Sequence, residues 1–296
     1  MNASILFQGD NFIMKNVDLI ASYWTIAGPV HPHSEQEFSP FDFADRVKAA
    51  SKAGFTGMGL KEVDVAHTLE RRSLKEMKNI LDDNGIRHVE LEFITDWFLD
   101  GEKKKRSDKI KHLLLEAAEV LGARHIKVGD FETTITPMPK LIESFAALCA
   151  DAENYGTKIL FELIVDSMIK TLPETLEMLE GANAKNGGVM IDLWHIVKLR
   201  IPYEDVAKIP ARFMLGMELN DGTLECPWSL HEDTINYRRL CGEGEFDIKG
   251  FVKQILAAGY DGPWGIEILS NELRKKTLEE AATQAFNTTI AQFPDA

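Results

Sequence analysis

Residues 188–195 read Gly-Val-Met-Ile-Asp-Leu-Trp-His, and the fold that we predict is built outward from this stretch. A short run of Val, Met and Ile is typical of a buried strand. The run leads to Asp192, and burying a carboxylate is costly unless a cation or hydrogen bonds compensate it. A strand with a carboxylate at its far end therefore indicates a site at that end.

The same arrangement of an apolar run and a terminal carboxylate occurs in three neighbouring segments. Four acidic strand ends in succession predict one shared cation, and oxygen ligands suit Mg²⁺ or Mn²⁺ rather than zinc or copper. A single carboxylate of this kind could equally point outward and pair with a Lys or Arg on a helix, but four together favour the shared site. The other three are Glu162 in residues 158–164, Glu218 in residues 213–221 and Glu267 in residues 262–269.

Eight strand-like segments alternate with eight helical segments along the chain. Strict alternation implies parallel strands with right-handed crossovers, and eight such units can close into a barrel whose active site lies at the carboxyl ends of the strands. The alternative is a doubly wound open sheet, but no GxGxxG turn opens any helix. We predict an α/β fold, a single-domain (β/α)8 TIM barrel over residues 1–296. The predicted strands are 18–28, 54–61, 88–95, 125–128, 158–164, 188–195, 213–220 and 262–269.

The composition is that of a globular protein without nucleic-acid or membrane partners. Of 296 residues, 45% are apolar and 27% are charged, and no apolar run approaches the roughly 20 residues that span a membrane. The net charge of −14 disfavours nucleic-acid binding. Three dispersed cysteines and the lack of a basic start followed by an apolar core in residues 1–15 predict a cytoplasmic protein.

Four motifs and a closing segment resemble the xylose isomerase-like TIM barrel superfamily. Its members include sugar and sugar phosphate isomerases and epimerases, inosose dehydratase, 3-dehydroshikimate dehydratase and the endonuclease IV group. The resemblance covers essentially the whole chain and is strongest after residue 158. The motifs are Asp192-Leu-Trp-His195, Phe-Glu-Leu at Glu162, Glu218-Leu-Asn-Asp221, Gly-Ile-Glu-Ile at Glu267 and the segment Gly-Glu-Gly-Glu-Phe-Asp-Ile-Lys-Gly-Phe at 242–251.

The resemblance implies a role for each of these residues. By analogy with ketohexose epimerases of the superfamily, Glu162 and Glu267 would bind the metal and exchange the substrate proton. Asp192 would be a metal ligand, and His195 would contact a substrate oxygen. The chemistry is consistent, because a metal-polarised carbonyl makes the adjacent C–H acidic and a carboxylate on each side can remove and return the proton.

The chain departs from the family at the seventh strand, where many relatives carry histidine and this chain has Glu218. Four carboxylates around one divalent ion leave two negative charges uncompensated, so a cation should lie close. Lys127 is the first candidate for this cation and His195 the second. Alternatively Glu218 is not a ligand, and water or Asn220 fills its position.

Other residues are candidates for substrate contacts or for ordinary surface positions. Glu92, near the end of the third strand, could accept a hydrogen bond from a hydroxyl group, and Trp24 could pack on a sugar ring. Lys127 and Asn220 are also predicted to contact substrate. Arg238 and Arg239 could bind a phosphate or a carboxylate, but a solvated pair is the favoured interpretation.

The first prediction of function is a divalent-metal-dependent isomerase or epimerase of a sugar, polyol or keto-sugar. A lyase or dehydratase on a keto-sugar or a 3-oxo-glycoside, including a C-glycoside, would need the same site, and that version predicts a second, different subunit as partner. A homo-oligomer is also possible. The alternative of another class is a barrel without catalysis that serves as a binding or assembly subunit, and endonuclease activity is disfavoured by the acidic balance.

Overall fold

Eight short parallel strands form the centre of the molecule and close into a barrel in which each strand pairs with the next one along the chain and the last pairs with the first. The computed structural model describes residues 6–8, 11–13, 17–131 and 135–294. Ahead of the barrel, β1 (Leu6–Gln8) and β2 (Asn11–Ile13) pair antiparallel. The barrel strands are β3 (Leu19–Ala21), β4 (Gly57–Lys61), β5 (His88–Ile94), β6 (His125–Val128), β7 (Lys158–Glu162), β8 (Gly187–Asp192), β9 (Met214–Leu219) and β10 (Trp264–Ile266).

Helices surround the barrel and cover the outer face of its strands. The predicted (β/α)8 TIM barrel is confirmed, while the extent of a single domain over residues 1–296 stays a prediction. No helix among the described residues combines the length and apolar character needed to cross a bilayer. The helices are α1 (Tyr23–Ile26), α2 (Phe43–Ala53), α3 (Glu62–Leu69), α4 (Leu74–Asp83), α5 (Gly101–Leu121), α6 (Met138–Glu153), α7 (Leu172–Ala182), α8 (Leu193–Lys198), α9 (Tyr203–Val206), α10 (Leu230–Asn236), α11 (Ile248–Ala257) and α12 (Leu278–Ile290), with a 3₁₀ turn at Leu273–Lys275.

Local signals in the sequence explain where several helices begin and end. Helix α4 begins at a capping box in which Ser73 and Glu76 exchange side-chain and backbone hydrogen bonds. Helices α2 and α5 end at Gly54 and Gly122, which take left-handed φ angles of 114° and 70°. Glycine adopts such angles at little cost, so these helix ends were predictable.

Several predicted elements have different bounds in the structure, and the predicted eighth strand, residues 262–269, is only Trp264–Ile266. The predicted first strand, residues 18–28, is only Leu19–Ala21, and the chain then turns into α1. The predicted sixth strand stops at Asp192, so Trp194 and His195 lie on α8. The aperiodic residues 221–246 contain α10. For the first and sixth strands an apolar run continues from the strand into the helix, and tertiary packing rather than the run sets the boundary.

Candidate active site and metal centre

Four acidic side chains meet at the carboxyl end of the barrel. Glu162 and Asp192 are the last residues of β7 and β8, Glu218 is the penultimate residue of β9, and Glu267 directly follows β10. Each offers a carboxylate oxygen, all four oxygens lie within 4.8 Å of one another, and all four residues are buried. The convergence expected from the sequence is therefore present.

Asp192 is positioned by the junction between β8 and α8. It is the N-cap of α8, and its Oδ1 accepts hydrogen bonds from the backbone N–H of Trp194 at 2.7 Å and of His195 at 3.4 Å. Asn220 Nδ2 donates to the same oxygen at 3.0 Å. This capping arrangement satisfies two helix N–H groups and fixes the direction of the carboxylate.

Glu218 occupies space that a glycine on the neighbouring strand leaves open. Gly265 is paired with Glu218 in the sheet, and a Cβ atom at Gly265 would come within 2.7 Å of Glu218 Cγ. Ser22 Oγ donates to Glu218 Oε1 at 2.8 Å, whereas Glu218 Oε2 is buried without a hydrogen-bond partner in the described structure.

Lys127 is the central cation of the cluster. It was the first candidate from the sequence for a cation close to the carboxylates. It lies on β6 and is buried, and its Nζ is 2.5 Å from Glu92 Oε2, 2.9 Å from Glu218 Oε1 and 3.2 Å from Glu267 Oε1. Burial alone would lower the pKa of Lys127, but Glu218, Glu267 and Glu92 outweigh it and raise that pKa well above the ordinary value. Lys127 is therefore charged.

Arg238 is a second buried cation, and its interpretation as a solvated residue was wrong. Its side chain is only 2% exposed, and Nη1 contacts Asp192 Oδ2 at 2.6 Å and Glu267 Oε2 at 3.1 Å. Arg239 is exposed, as expected. Arg238 follows α10, and its Nη2 donates to Thr234 Oγ1 at 3.0 Å. The aperiodic sequence gave no signal that this segment folds back over the barrel.

Of the four carboxylates at the strand ends, Glu162 has the weakest contacts with Lys127 and Arg238. Lys127 Nζ lies 4.0 Å from Glu162 Oε2, and His195 Nε2 lies 3.7 Å from Oε1, both beyond ordinary hydrogen-bond distance. Burial, together with the neighbouring Glu267 and Asp192, outweighs the opposing effect of Lys127 and raises the pKa of Glu162 to about 8. For Asp192, by contrast, the charge of Arg238 and the hydrogen bonds from Arg238 and Asn220 outweigh burial and lower the pKa well below its usual range.

His195 is neutral rather than cationic. Burial lowers its pKa to about 3, although Asp192 acts in the opposite direction. The backbone N–H of Val165 donates to His195 Nδ1 at 3.4 Å, so the ring proton is assigned to Nε2, on the side of Glu162. His195 was the second candidate for a cation close to the carboxylates. Because it is neutral, it does not compensate their charge.

A cavity of about 280 Å³ opens above the carboxylates. Trp24, Glu92, Lys127 and His195 line it together with Glu162, Glu267 and Arg238. Asn220 is fully buried and lies beneath Asp192, outside the residues that line the cavity. The other residues predicted to contact substrate therefore line one cavity. Asn220 instead hydrogen-bonds to Asp192 and helps to orient its carboxylate.

The residues present fit a divalent ion. Opposite ligands around one Mg²⁺ lie about 4.2 Å apart, because each bond is about 2.1 Å long, and the four carboxylate oxygens, which lie within 4.8 Å of one another, are close to that spacing. The unpartnered Glu218 Oε2 is the kind of buried acceptor that a cation would satisfy. His195 forms a second candidate group with Glu162 and Asp192.

A family model described as the xylose isomerase-like TIM barrel matches residues 47–287. The chain belongs to this family. Among curated family relatives, 3-dehydroshikimate dehydratase of Pseudomonas aeruginosa is 23% identical over 78% of this chain and 36% of its own length. Inosose isomerase of Bacillus licheniformis is 21% identical over 60% of this chain and 65% of its own. This xylose isomerase-like chain therefore spans little more than a third of the length of the dehydratase.

A solved structure described as the IOLI protein with a bound zinc atom has the same fold. It superposes with a TM-score of 0.80 at 17% identity and covers 93% of this chain and 97% of its own. The description of that structure names a bound zinc atom. The carboxylates and His195 of the present chain are likewise close enough together to hold a metal ion.

Proposed function

We propose that the protein is a divalent-metal-dependent isomerase or epimerase of a sugar, polyol or keto-sugar. The observation that carries the proposal is the convergence of Glu162, Asp192, Glu218 and Glu267 below one cavity. These four residues would hold one Mn²⁺ or Mg²⁺, which when bound would polarise the substrate carbonyl. Membership of a family that contains isomerases and dehydratases supports the assignment as an enzyme.

Glu162 and Glu267 would exchange the proton next to the substrate carbonyl. Glu162 is suited to remove and return a proton, because its pKa of about 8 lies near neutral pH and neither Lys127 nor Arg238 hydrogen-bonds to it. Glu267 is held by Lys127 and Arg238, which fix its orientation at the end of β10. His195, with its proton on Nε2, would donate a hydrogen bond to a substrate oxygen, and Glu92 Oε1 would accept one from a hydroxyl group.

A lyase is the second candidate, and the similarity to 3-dehydroshikimate dehydratase favours it. Removal of the same proton, followed by loss of an oxygen substituent from the next carbon, needs the same acid and base. If the substrate is a 3-oxo-glycoside, a second, different subunit is the expected partner. A binding or assembly subunit without catalysis is the remaining alternative.

Metal content tests the proposal first. The purified protein and its Glu267→Gln, Glu218→Gln and Glu272→Gln variants would be loaded with Mn²⁺, dialysed and analysed for bound metal. We expect about one ion per chain in the parent and in Glu272→Gln, whose side chain is exposed, and loss in Glu267→Gln. Loss in Glu218→Gln identifies Glu218 as a ligand, and retention there assigns the position to water.

Proton exchange then separates an enzyme from a binding subunit. The Mn²⁺-loaded protein would be incubated in D2O with a panel of ketohexoses and inososes, and deuterium would be followed by NMR. Incorporation next to the carbonyl supports an isomerase or epimerase, and loss of water from the product supports a lyase. A parent that binds no divalent ion in excess contradicts the proposed enzyme.

A further inference from the structure

The cavity above the carboxylates has two unlike walls. The wall formed after β3 and β4 carries polar and charged side chains, with Lys61 Nζ 2.9 Å from Glu62 Oε1 and 3.5 Å from Glu37 Oε2. Trp24 stands beside this group, with Lys61 Nζ 5.7 Å from the centre of its ring. The wall formed after β5, β6 and β7 is mainly apolar.

The apolar wall is continuous because a glycine brings its parts together. A Cβ atom at Gly129 would lie 2.6 Å from Phe93 Cζ and 3.1 Å from Ile164 Cδ1, so both side chains pack against this position. Phe131 continues the wall, and its ring centre is 5.3 Å from that of Phe93. Ile110 and Val165 also line it, and Thr95 and Asp166 are the polar residues that border it.

Phe131 is an aromatic ring left uncovered inside a ligand cavity. Its side chain is 58% exposed, although it lies next to Phe93 and faces the same space as the catalytic carboxylates. A ligand that covers this apolar surface and removes it from water binds more tightly, because burial of apolar surface is favourable. A substrate with hydroxyl groups on every side would leave some of them without partners against this wall, which costs free energy.

We propose that the site accepts a sugar or cyclic polyol that carries an apolar ring as a substituent. The sugar lies over the carboxylates and hydrogen-bonds to the polar wall, and the apolar ring packs on Phe93, Phe131 and Ile164. This assignment of substrate class rests on the proposed function, because it takes the carboxylate end of the cavity as the end that binds the reacting sugar.

Two inert glycosides test this inference. Methyl β-D-glucopyranoside and phenyl β-D-glucopyranoside would each be titrated into the Mn²⁺-loaded protein by calorimetry. We expect the phenyl glycoside to bind about tenfold more tightly than the methyl glycoside. In Phe131→Ser the two affinities should become nearly equal. In Val120→Ser, which removes a 40% exposed apolar side chain of α5 outside the cavity, the preference should persist.

Equal affinities in the parent protein, including no measurable binding of either glycoside, would overturn the inference. A phenyl preference that survives in Phe131→Ser would overturn it as well. Metal content measured on the same samples separates this outcome from failure of the proposed function. If the protein binds one ion but shows no phenyl preference, only the proposed substrate class is contradicted. If it shows a phenyl preference but binds no ion, the proposed metal-dependent activity is contradicted and the apolar subsite is retained.

Discussion

At the scale of residues, the site is a buried cluster of charged side chains in which carboxylates outnumber cations. Lys127 and Arg238 are the cations among the described residues that contact it, and His195 is neutral. Burial and the neighbouring Glu267 raise the pKa of Glu218 well above its ordinary value, and Lys127 only partly opposes this. Protons or a divalent ion must therefore complete the charge balance. The carboxylates are Glu92, Glu162, Asp192, Glu218 and Glu267.

Replacing Lys127 should destabilise the protein through its partners. In Lys127→Met the carboxylates of Glu92, Glu218 and Glu267 lose their shared cation, and we expect a loss of about 3–5 kcal/mol in the free energy of unfolding without metal. Adding Glu218→Gln to this variant should restore part of the loss, with a coupling energy of about 1–3 kcal/mol. Urea unfolding of the single and double variants measures both quantities.

Lys48→Met is the matched control, because Lys48 lies exposed on α2. It should change the free energy of unfolding by less than about 0.5 kcal/mol. Additive effects of Lys127→Met and Glu218→Gln would show that the two residues do not interact energetically, in spite of the 2.9 Å contact.

Glu90 lies deeper in the barrel and should make stability depend on pH. Burial raises its pKa from 4.5 to about 7, against the opposing effect of Lys127. The folded state therefore binds this proton more tightly than the unfolded state does. The stabilisation is complete below the unfolded pKa and is lost as the pH rises through the folded pKa.

The Glu90→Gln variant should remove this pH dependence. Relative to the parent, it should gain up to about 3 kcal/mol of stability between about pH 4.5 and pH 8. Urea unfolding at both pH values measures the change, with Glu279→Gln, an exposed residue of α12, as control. A parent and variant with parallel pH profiles would show that Glu90 titrates at its ordinary pKa.

At the scale of elements, the segment between β9 and α11 completes the site. Asp221 accepts hydrogen bonds from four backbone N–H groups within 2.8–3.1 Å, including those of Gly242 and Gly244. Asp233 on α10 accepts from the indoles of Trp194 and Trp228 and pairs with Lys198 at 2.8 Å. These two carboxylates hold the segment that delivers Arg238.

Weakening the Asp233 anchor should loosen α10 before it affects the barrel. In Asp233→Asn the ion pair with Lys198 is lost and one of the two indole hydrogen bonds is weakened, so we expect a red shift of tryptophan fluorescence and several-fold faster proteolysis within residues 223–236. Limited proteolysis with mass spectrometry locates the cleavage.

The control for this prediction is Asp205→Asn, which removes an exposed pair with Lys208. It should leave both readouts unchanged, since exposed ion pairs contribute little. Cleavage distributed over the barrel of Asp233→Asn, rather than confined to α10 and its flanks, would mean that the anchor supports the whole fold.

At the scale of the whole molecule, closure of the barrel brings together carboxylates from the ends of four strands that are far apart in sequence. An ion that binds only the folded state stabilises it by mass action, by about 2.7 kcal/mol when its concentration is about 100 times its Kd. Mn²⁺ should therefore raise the Tm of the parent by several degrees, and EDTA should reverse the rise. Differential scanning calorimetry measures both, and the rise should be absent in Glu267→Gln.

Much of the architecture was determined by the sequence itself. Apolar strand runs, helix-ending glycines such as Gly54 and Gly122, and the carboxylates at four successive strand ends are local patterns, and they predicted the barrel and its acidic centre. The charge of that centre then made Lys127 the candidate for a nearby cation. Such patterns carry this information because burial and backbone conformation are governed by neighbouring residues in the chain.

Only the tertiary structure decided how that acidic centre is held and covered. Arg238 and Ser22 reach the carboxylates from segments that lie far from them in sequence, and Gly265 leaves space for Glu218 on the neighbouring strand. The indole of Trp194 likewise donates a hydrogen bond to the distant Asp233. Contacts between distant segments leave no period in the sequence, because each depends on the shape of the other. The pKa values and the two walls of the cavity arise from these contacts.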